Sequence, residues 1–371
     1  MTALDPTVLD PTALDSTAPA AASAGPNVRR QERLYRLISR CDPWPCALGL
    51  GWLTLLWRVL VGDNPRGQAK EIWRLAMVPA LSITGFLLLW ASLALMVQTS
   101  LGAIPSPRQV WQQVGVLRAD AAAERDKAAA FYVKQAEKNA ALVAEGKPEQ
   151  VKNRNYAGKP TYPGQILTSI KTVFLGFLIG TFIAVPLGML CGLSATANAA
   201  INPLVQIFKP VSPLAWLPIV TMVVSASVGE GGLPKSFIVS AVTVTLCSMW
   251  PTLINTALGV ASIDKDLVNV GRVLKLSLWT RITKLVLPSA LPLIFTGMRL
   301  SLGVGWMVPI AAEMLAQNPG LGKFVWDEFQ NGSQDSLARI MVAVMTIGLI
   351  GFALDRLMFA LQTLFTFSNN R

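Results

Sequence analysis

The chain has 371 residues, 52% of them hydrophobic and only 14% charged, with a mean hydropathy of +0.47. That balance is too apolar for an ordinary soluble globular protein and places the chain in a bilayer. The formal net charge is +11 and histidine is absent, which excludes histidine acid/base catalysis and histidine metal ligation. In a membrane protein such basicity reports cytoplasmic loops and lipid headgroups, and no nucleic-acid-binding motif accompanies it.

Residues 1–28 open with a Leu-Asp-Pro-Thr repeat that carries three Asp and no basic residue over its first 26 positions. Such a segment is expected to be disordered, and it lacks the basic and apolar regions of a secretory signal. Residues 29–76 form a basic region: from Arg29 to Arg74 there are nine Lys or Arg against four acids. Leu34, Leu37 and Ile38 make one apolar face among Arg30, Arg33, Arg36 and Arg40, the pattern of an interfacial cytoplasmic helix. The run Ala47 to Val61, broken by Arg58, reaches about 22 Å against a hydrocarbon core of about 30 Å and is read as lying in the interface.

Six runs are long enough to cross: Met77 to Val97, Ile166 to Leu193, Pro203 to Val228, Phe237 to Val260, Ser289 to Leu315 and Leu337 to Phe365. The expected fold is all-α, a polytopic membrane bundle of about six transmembrane helices with an external helical insertion. Its parts are a first span at 77–97, an external insertion at 98–165, a transport core at 166–366 and a tail at 367–371. Ala, Glu and Lys content predicts a helix over 119–144 in the insertion, before the turn-rich YAGKPTYPG. Residues 316–336, with one Lys against three acids, are expected as an outer loop. The stretch GEGGLPKS (229–236) misses the nucleotide-binding pattern because Pro234 stands where Gly is required and removes a backbone donor, so it reads as a turn. Cys191 and Cys247 lie in apolar runs, Cys41 and Cys46 near the amino terminus, and none forms a C-x-x-C pair, so all four read as small packing residues.

Between the fourth and fifth runs lies a hydrophilic island, 261–288, carrying five Lys or Arg. Asp264, Lys265, Asp266, Arg272, Lys275, Arg281 and Lys284 keep it in water, while Leu267, Val270, Val273 and Leu274 make an apolar stripe at helical spacing. A short amphipathic helix on the cytoplasmic face, with its apolar side offered to a partner, is expected.

Several residues inside the runs are candidates for function. Gly176, Gly180, Ala184, Gly188 and Gly192 recur every fourth residue and line a ridge for close helix packing, within this chain or against a twin; Pro186 suggests a kink in the same helix. Arg299 and Glu313, 14 residues apart, fall within about 40° of one helical face. Arg299 reads as an anion attractor or a snorkelling arginine, Glu313 as a gate, a docking contact or an interfacial carboxylate. Trp306 plugs or lines a path, or packs. Lys209-Pro210, Pro213, Trp216 and Pro218 interrupt the third run, and Lys209 is a second candidate for anion contact.

The island resembles the coupling loop of ABC-importer permeases, whose pattern is Glu-Ala-Ala, three residues, Gly, nine residues, Ile-x-Leu-Pro. Asn269, Val270 and Gly271 hold the first three places and Lys275 the Gly place, while Leu285, Leu287 and Pro288 close it; Asn for Glu and Lys for Gly depart from the pattern. Together with PVSPLAWLPIV, FTGMRLSLGVGW, IAAEML and GLGKFVWDEF, it is similar to the nitrate/sulfonate/bicarbonate branch of binding-protein-dependent permeases, of the type I importer kind. NYAGKPTYPGQILTSIKTV is most similar to the nitrate members. The resemblance implies a homodimer, two cytoplasmic ATPase subunits that hold the ATP and Mg, a periplasmic or lipid-anchored anion-binding protein, and no cofactor on this chain. It implies nitrate or nitrite as cargo, with bicarbonate, sulfonate or cyanate as the close alternative and an ion-gradient carrier as the distant one. Asp266, Leu267, Asn269, Val270, Gly271, Arg272, Val273, Leu274, Lys275 and Pro288 are the residues expected at the ATPase contact.

Overall fold

A computed structural model describes residues 70–99, 102–229 and 232–367. The expectations for the tail, for the basic region up to residue 69, for the run at 47–61, for Cys41 and Cys46, for part of GEGGLPKS and for the last four residues lie outside these. The described chain divides into two units, residues 70–83 and 84–367, with the boundary falling inside the first helix. That helix, α1 (Lys70–Met96), contains a π-turn at Trp73–Met77.

Residues Gln98–Thr99 (β1) pair antiparallel with Gly102–Ala103 (β2), a two-residue ladder in a chain expected to be all-α. The insertion then forms one 38-residue helix, α2 (Pro107–Ala144), twelve residues longer at its start than composition predicted. The reason is local: Ser106 and Gln109 close a reciprocal capping box and Pro107 takes the first helical position. The return segment lies back along α2. Asn139 donates to Asn153 (3.1 Å), Tyr156 to Glu124 (2.8 Å) and the Lys159 amide to the same carboxyl (3.0 Å). The Tyr156 hydroxyl above all, then the Lys127 ammonium, holds the Glu124 carboxyl below its usual range. A Cβ on Gly158 would land on Glu124 and the Tyr156 ring.

Membrane-length helices follow: α3 (Tyr162–Leu193), α6 (Lys235–Ala261), α8 (Leu278–Ala316) and α10 (Gln334–Phe367). With α1 they make five helices, among the described residues, long and apolar enough to cross a membrane. The third run, predicted as one span over 203–228, is instead two helices, α4 (Ala195–Phe208) and α5 (Pro213–Ser227), bent by 104°. Proline explains the break. Pro210 has no amide hydrogen to donate, and Ser212 caps a fresh helix whose first residue is Pro213.

The small-residue ridge of α3 lies against α6 of the same chain. A Cβ on Gly176 would sit 2.6 Å from the Ala241 carbonyl oxygen, and one on Gly188 2.6 Å from that of Leu253; on Gly192 it would be 2.7 Å from that of Ala257. These contacts are backbone to backbone and have no room to relax. Gly180 is looser, with its nearest neighbour at 3.6 Å, and Ala184 is fully buried beside Trp250 and Leu253.

Helix α8 starts eleven residues before the predicted span, because Ser277 caps it and a π-turn at Ile282–Val286 carries it through Pro288. It therefore runs unbroken from the island into the bundle. At its far end Gln317 turns left-handed (φ 56°) and the predicted loop contains a helix, α9 (Leu321–Asn331). The apolar side of α9 packs down: Phe324 meets Val110, Leu117, Val342 and Ala343, and its ring lies 4.9 Å from that of Tyr162.

Candidate functional site

The island forms a nine-residue helix, α7 (Lys265–Val273). The Asp264 carboxyl accepts from the Asp266 amide at its start (3.0 Å). Leu267, Val270 and Leu274 are exposed and Val273 is 80% exposed, so a face of apolar side chains stands in solvent beside Asp266 and Asn269, also exposed. Gly271 is buried where α7 folds over Leu285 of the π-turn; a Cβ there would meet Leu285 at 2.9 Å. Arg272 belongs to α7, and Pro288 lies in α8 just beyond the turn.

Lys275, two residues beyond the end of α7, has φ 47°. The Leu276 amide donates back to the Gly271 carbonyl (3.1 Å), closing a left-handed helix stop. This is the position at which the resembled pattern has Gly, and the backbone shows why: a side chain there costs about 1–2 kcal/mol. Lys275→Gly is therefore expected to stabilise the island by about 1 kcal/mol, and Lys275→Val to destabilise it. Thermal unfolding of both variants checks this; equal midpoints would refute the strain.

Midway along α8, Arg299 is an ion-pair partner. Its Nε donates to one oxygen of Asp355 on α10 (2.6 Å) and its Nη2 to the other (2.8 Å). Arg356 approaches the same carboxylate (3.6 Å), and both guanidiniums lie over the Phe359 ring, at 5.2 and 5.9 Å. Arg299 is thus held by Asp355, a partner that neither reading of Arg299, as anion attractor or as snorkelling arginine, included. Asp355 and Arg356 were missed, although two adjacent charges inside a run of 29 largely apolar residues are a legible signal. Trp306, read as plugging, lining or packing, is buried, donates from Nε1 to the Ile347 carbonyl (2.9 Å) over Gly351, and also walls a cavity. A cavity of about 220 Å³ opens between Arg299, Gly303, Trp306, Gly351 and Asp355.

Glu313 is fully buried, which corrects the reading of it as an interfacial carboxylate. Its Oε2 accepts from the Ser169 hydroxyl on α3 (2.8 Å) and from the Gly322 amide in the first turn of α9 (3.0 Å). Ser169 in turn accepts from the Leu321 amide (2.8 Å), and Asn318 donates to Thr172 (3.2 Å). A Cβ on Gly320 would strike the Glu313 carboxyl, and one on Gly322 the Ile310 carbonyl. The carboxyl thus fixes three helix ends together, and it is not brought near Arg299. Lys209 is exposed at the end of α4. Trp216 packs on Phe208 (ring centroids 5.7 Å) and against the cluster that holds Ala312.

A bundle of membrane-length helices, with an amphipathic helix exposing apolar side chains at one end and a tightly bonded cap at the other, defines a polytopic membrane protein. Residues 184–366 match the family described as the binding-protein-dependent transport system inner membrane component. The chain is 37% identical over 205 residues (54% of this chain, 69% of the relative) to the nitrate import permease protein NrtB of Leptolyngbya laminosa. It is 36% identical over 193 residues (52% and 66%) to NrtB of Synechococcus elongatus. It is 39% identical over 199 residues (53% and 67%) to that organism's bicarbonate transport system permease protein CmpB. The chain belongs to this family, and it matches about two thirds of the length of these relatives.

Proposed function

We propose that this chain is the transmembrane subunit of an ATP-driven importer, and that two copies form the pathway for a small inorganic anion, with nitrate the first candidate and nitrite a second. The observation that carries the reading is the exposed apolar edge of α7, continuous through the π-turn with α8. It suits a separate cytoplasmic motor that grips α7 and moves α8 as a rod. ATP and Mg belong to two partner ATPase subunits, and a periplasmic or lipid-anchored binding protein delivers the anion to the α9 end. Closure of the ATPase pair pulls α7, and because helices packed backbone to backbone, like α3 on α6, do not deform continuously, the bundle switches between two arrangements.

Bicarbonate is the second reading, favoured by the 39% identity to bicarbonate permeases. The test is co-expression with the candidate ATPase and binding-protein subunits, reconstitution in vesicles and uptake of isotopically labelled nitrate against labelled bicarbonate, with and without ATP. ATP-dependent uptake of one anion is expected. Uptake that runs on an ion gradient without ATP would replace this reading with a secondary carrier.

A further inference from the structure

Arg299, Asp355 and Arg356 lie at matching depth on two neighbouring helices. Arg299 is ten residues, about 15 Å, from the Ser289 end of its apolar run, and Asp355 is likewise ten residues, about 15 Å, from the Phe365 end. The hydrocarbon core is about 30 Å thick, so the trio sits near its middle. There the three side chains remain 32%, 38% and 32% exposed within this chain. A charge left to acyl chains at that depth costs about 3 kcal/mol or more, so intramembrane charges face protein or water. The trio carries net +1. Arg299 spends Nε and Nη2 on Asp355, which leaves Nη1 without a partner among the described residues. The Arg356 Nε is buried with no acceptor. Unspent guanidinium donors around a nearly neutralised carboxylate call for an acceptor of single negative charge. The adjoining cavity of about 220 Å³ has room for a small planar ion beside several waters, each of about 30 Å³.

Resting on the importer reading above, we propose that Arg299, held in place by Asp355 with Arg356 behind that carboxylate, forms a mid-membrane contact for a small oxyanion, with the free edge of Arg299 in the cavity as the donor. Asp355 holds the net charge at +1, which keeps the contact weak enough for the ion to leave, as conduction requires. A lipid phosphate is excluded by depth. A covering surface from a second copy would shut the cavity to water, so accessibility decides between the two.

Gly303 lines the cavity and has nothing within 4 Å of an added Cβ, so Gly303→Cys reports on it with the trio intact. In the assembled complex in vesicles, an anionic sulfonate-bearing methanethiosulfonate is expected to modify Gly303→Cys at least about tenfold faster than the parent chain, since thiolates react where water reaches them. Nitrate should slow the modification severalfold, Arg299→Gln should abolish that protection, and Arg299→Lys should restore it. Modification no faster than in the parent would place the trio against lipid or protein and overturn the proposal. So would modification that nitrate and bicarbonate fail to slow, or protection that survives Arg299→Gln. If protection holds while the unsubstituted complex moves no anion with ATP, the importer reading fails and the oxyanion contact stands.

Discussion

Glu313→Ala is expected to release α9 from the bundle. The substitution leaves the Gly322 amide and the Ser169 hydroxyl without their acceptor in a buried site, at about 1–3 kcal/mol for each orphaned group, and removes packing that Gly320 makes on the carboxyl. A loss of about 3 kcal/mol or more, read as a lower thermal midpoint, should come with faster amide exchange over 321–331. Glu313→Gln keeps an acceptor oxygen for Gly322 and should cost less than half as much. The second variant separates bonding from bulk: if Gln is as damaging as Ala, the acceptor geometry does not explain the site. Gly322→Ala, which drives a Cβ into the Ile310 carbonyl, should reproduce the exchange phenotype with the carboxyl intact. Unchanged exchange over α9 in all three variants would refute the idea that this carboxyl ties the cap down. Under the importer reading, a released α9 should also blunt stimulation of ATP hydrolysis by the loaded binding protein while basal hydrolysis persists.

Val273→Asp is expected to uncouple the motor without harming the bundle. Val273 is 80% exposed on α7, and surface substitutions of that kind fall within about 0.5 kcal/mol of neutral for folding. Buried against a partner, the new carboxylate is an unpaired charge and costs about 2–5 kcal/mol, which is a thirtyfold or greater loss of affinity. Membrane insertion and thermal midpoint should match the parent, while ATPase subunits no longer co-purify and uptake drops to a few per cent. Normal uptake with ATPase subunits retained would remove α7 from the coupling contact. Val273→Ala, which keeps the surface apolar, should lose far less.

Several features were legible because they depend on the residues alone. Membrane residence follows from composition, and helix type from runs of 20 or more apolar residues, since unsatisfied backbone groups in lipid leave the chain few other choices. The amphipathic island was readable from the spacing of Leu267, Val270, Val273 and Leu274, and the break near Lys209 from its prolines. The length of α2 was readable too, through Ser106, Pro107 and Gln109, but composition over 119–144 drew attention away from the cap. Helix α9 was hidden because a short amphipathic segment gains its helicity from the surface it packs on, here Val110, Leu117 and Val342.

Partnerships across the bundle are another matter. Arg299 and Glu313 share one face of one helix by count, yet one is paired with Asp355, 56 positions away, and the other with Ser169, 144 positions away. No spacing rule links such residues. Charge pairing inside a membrane is chosen by which helices come to lie side by side and at what depth, and that is set by close fits such as Gly176 and Gly188 on α6. Residue order alone determined that this chain crosses a bilayer and presents a wet, apolar-edged helix on one side. Only the tertiary structure decided which charges are spent on holding helices together and which donors are left unpaired among the described residues, because a charge in low dielectric is defined by its nearest partner in space.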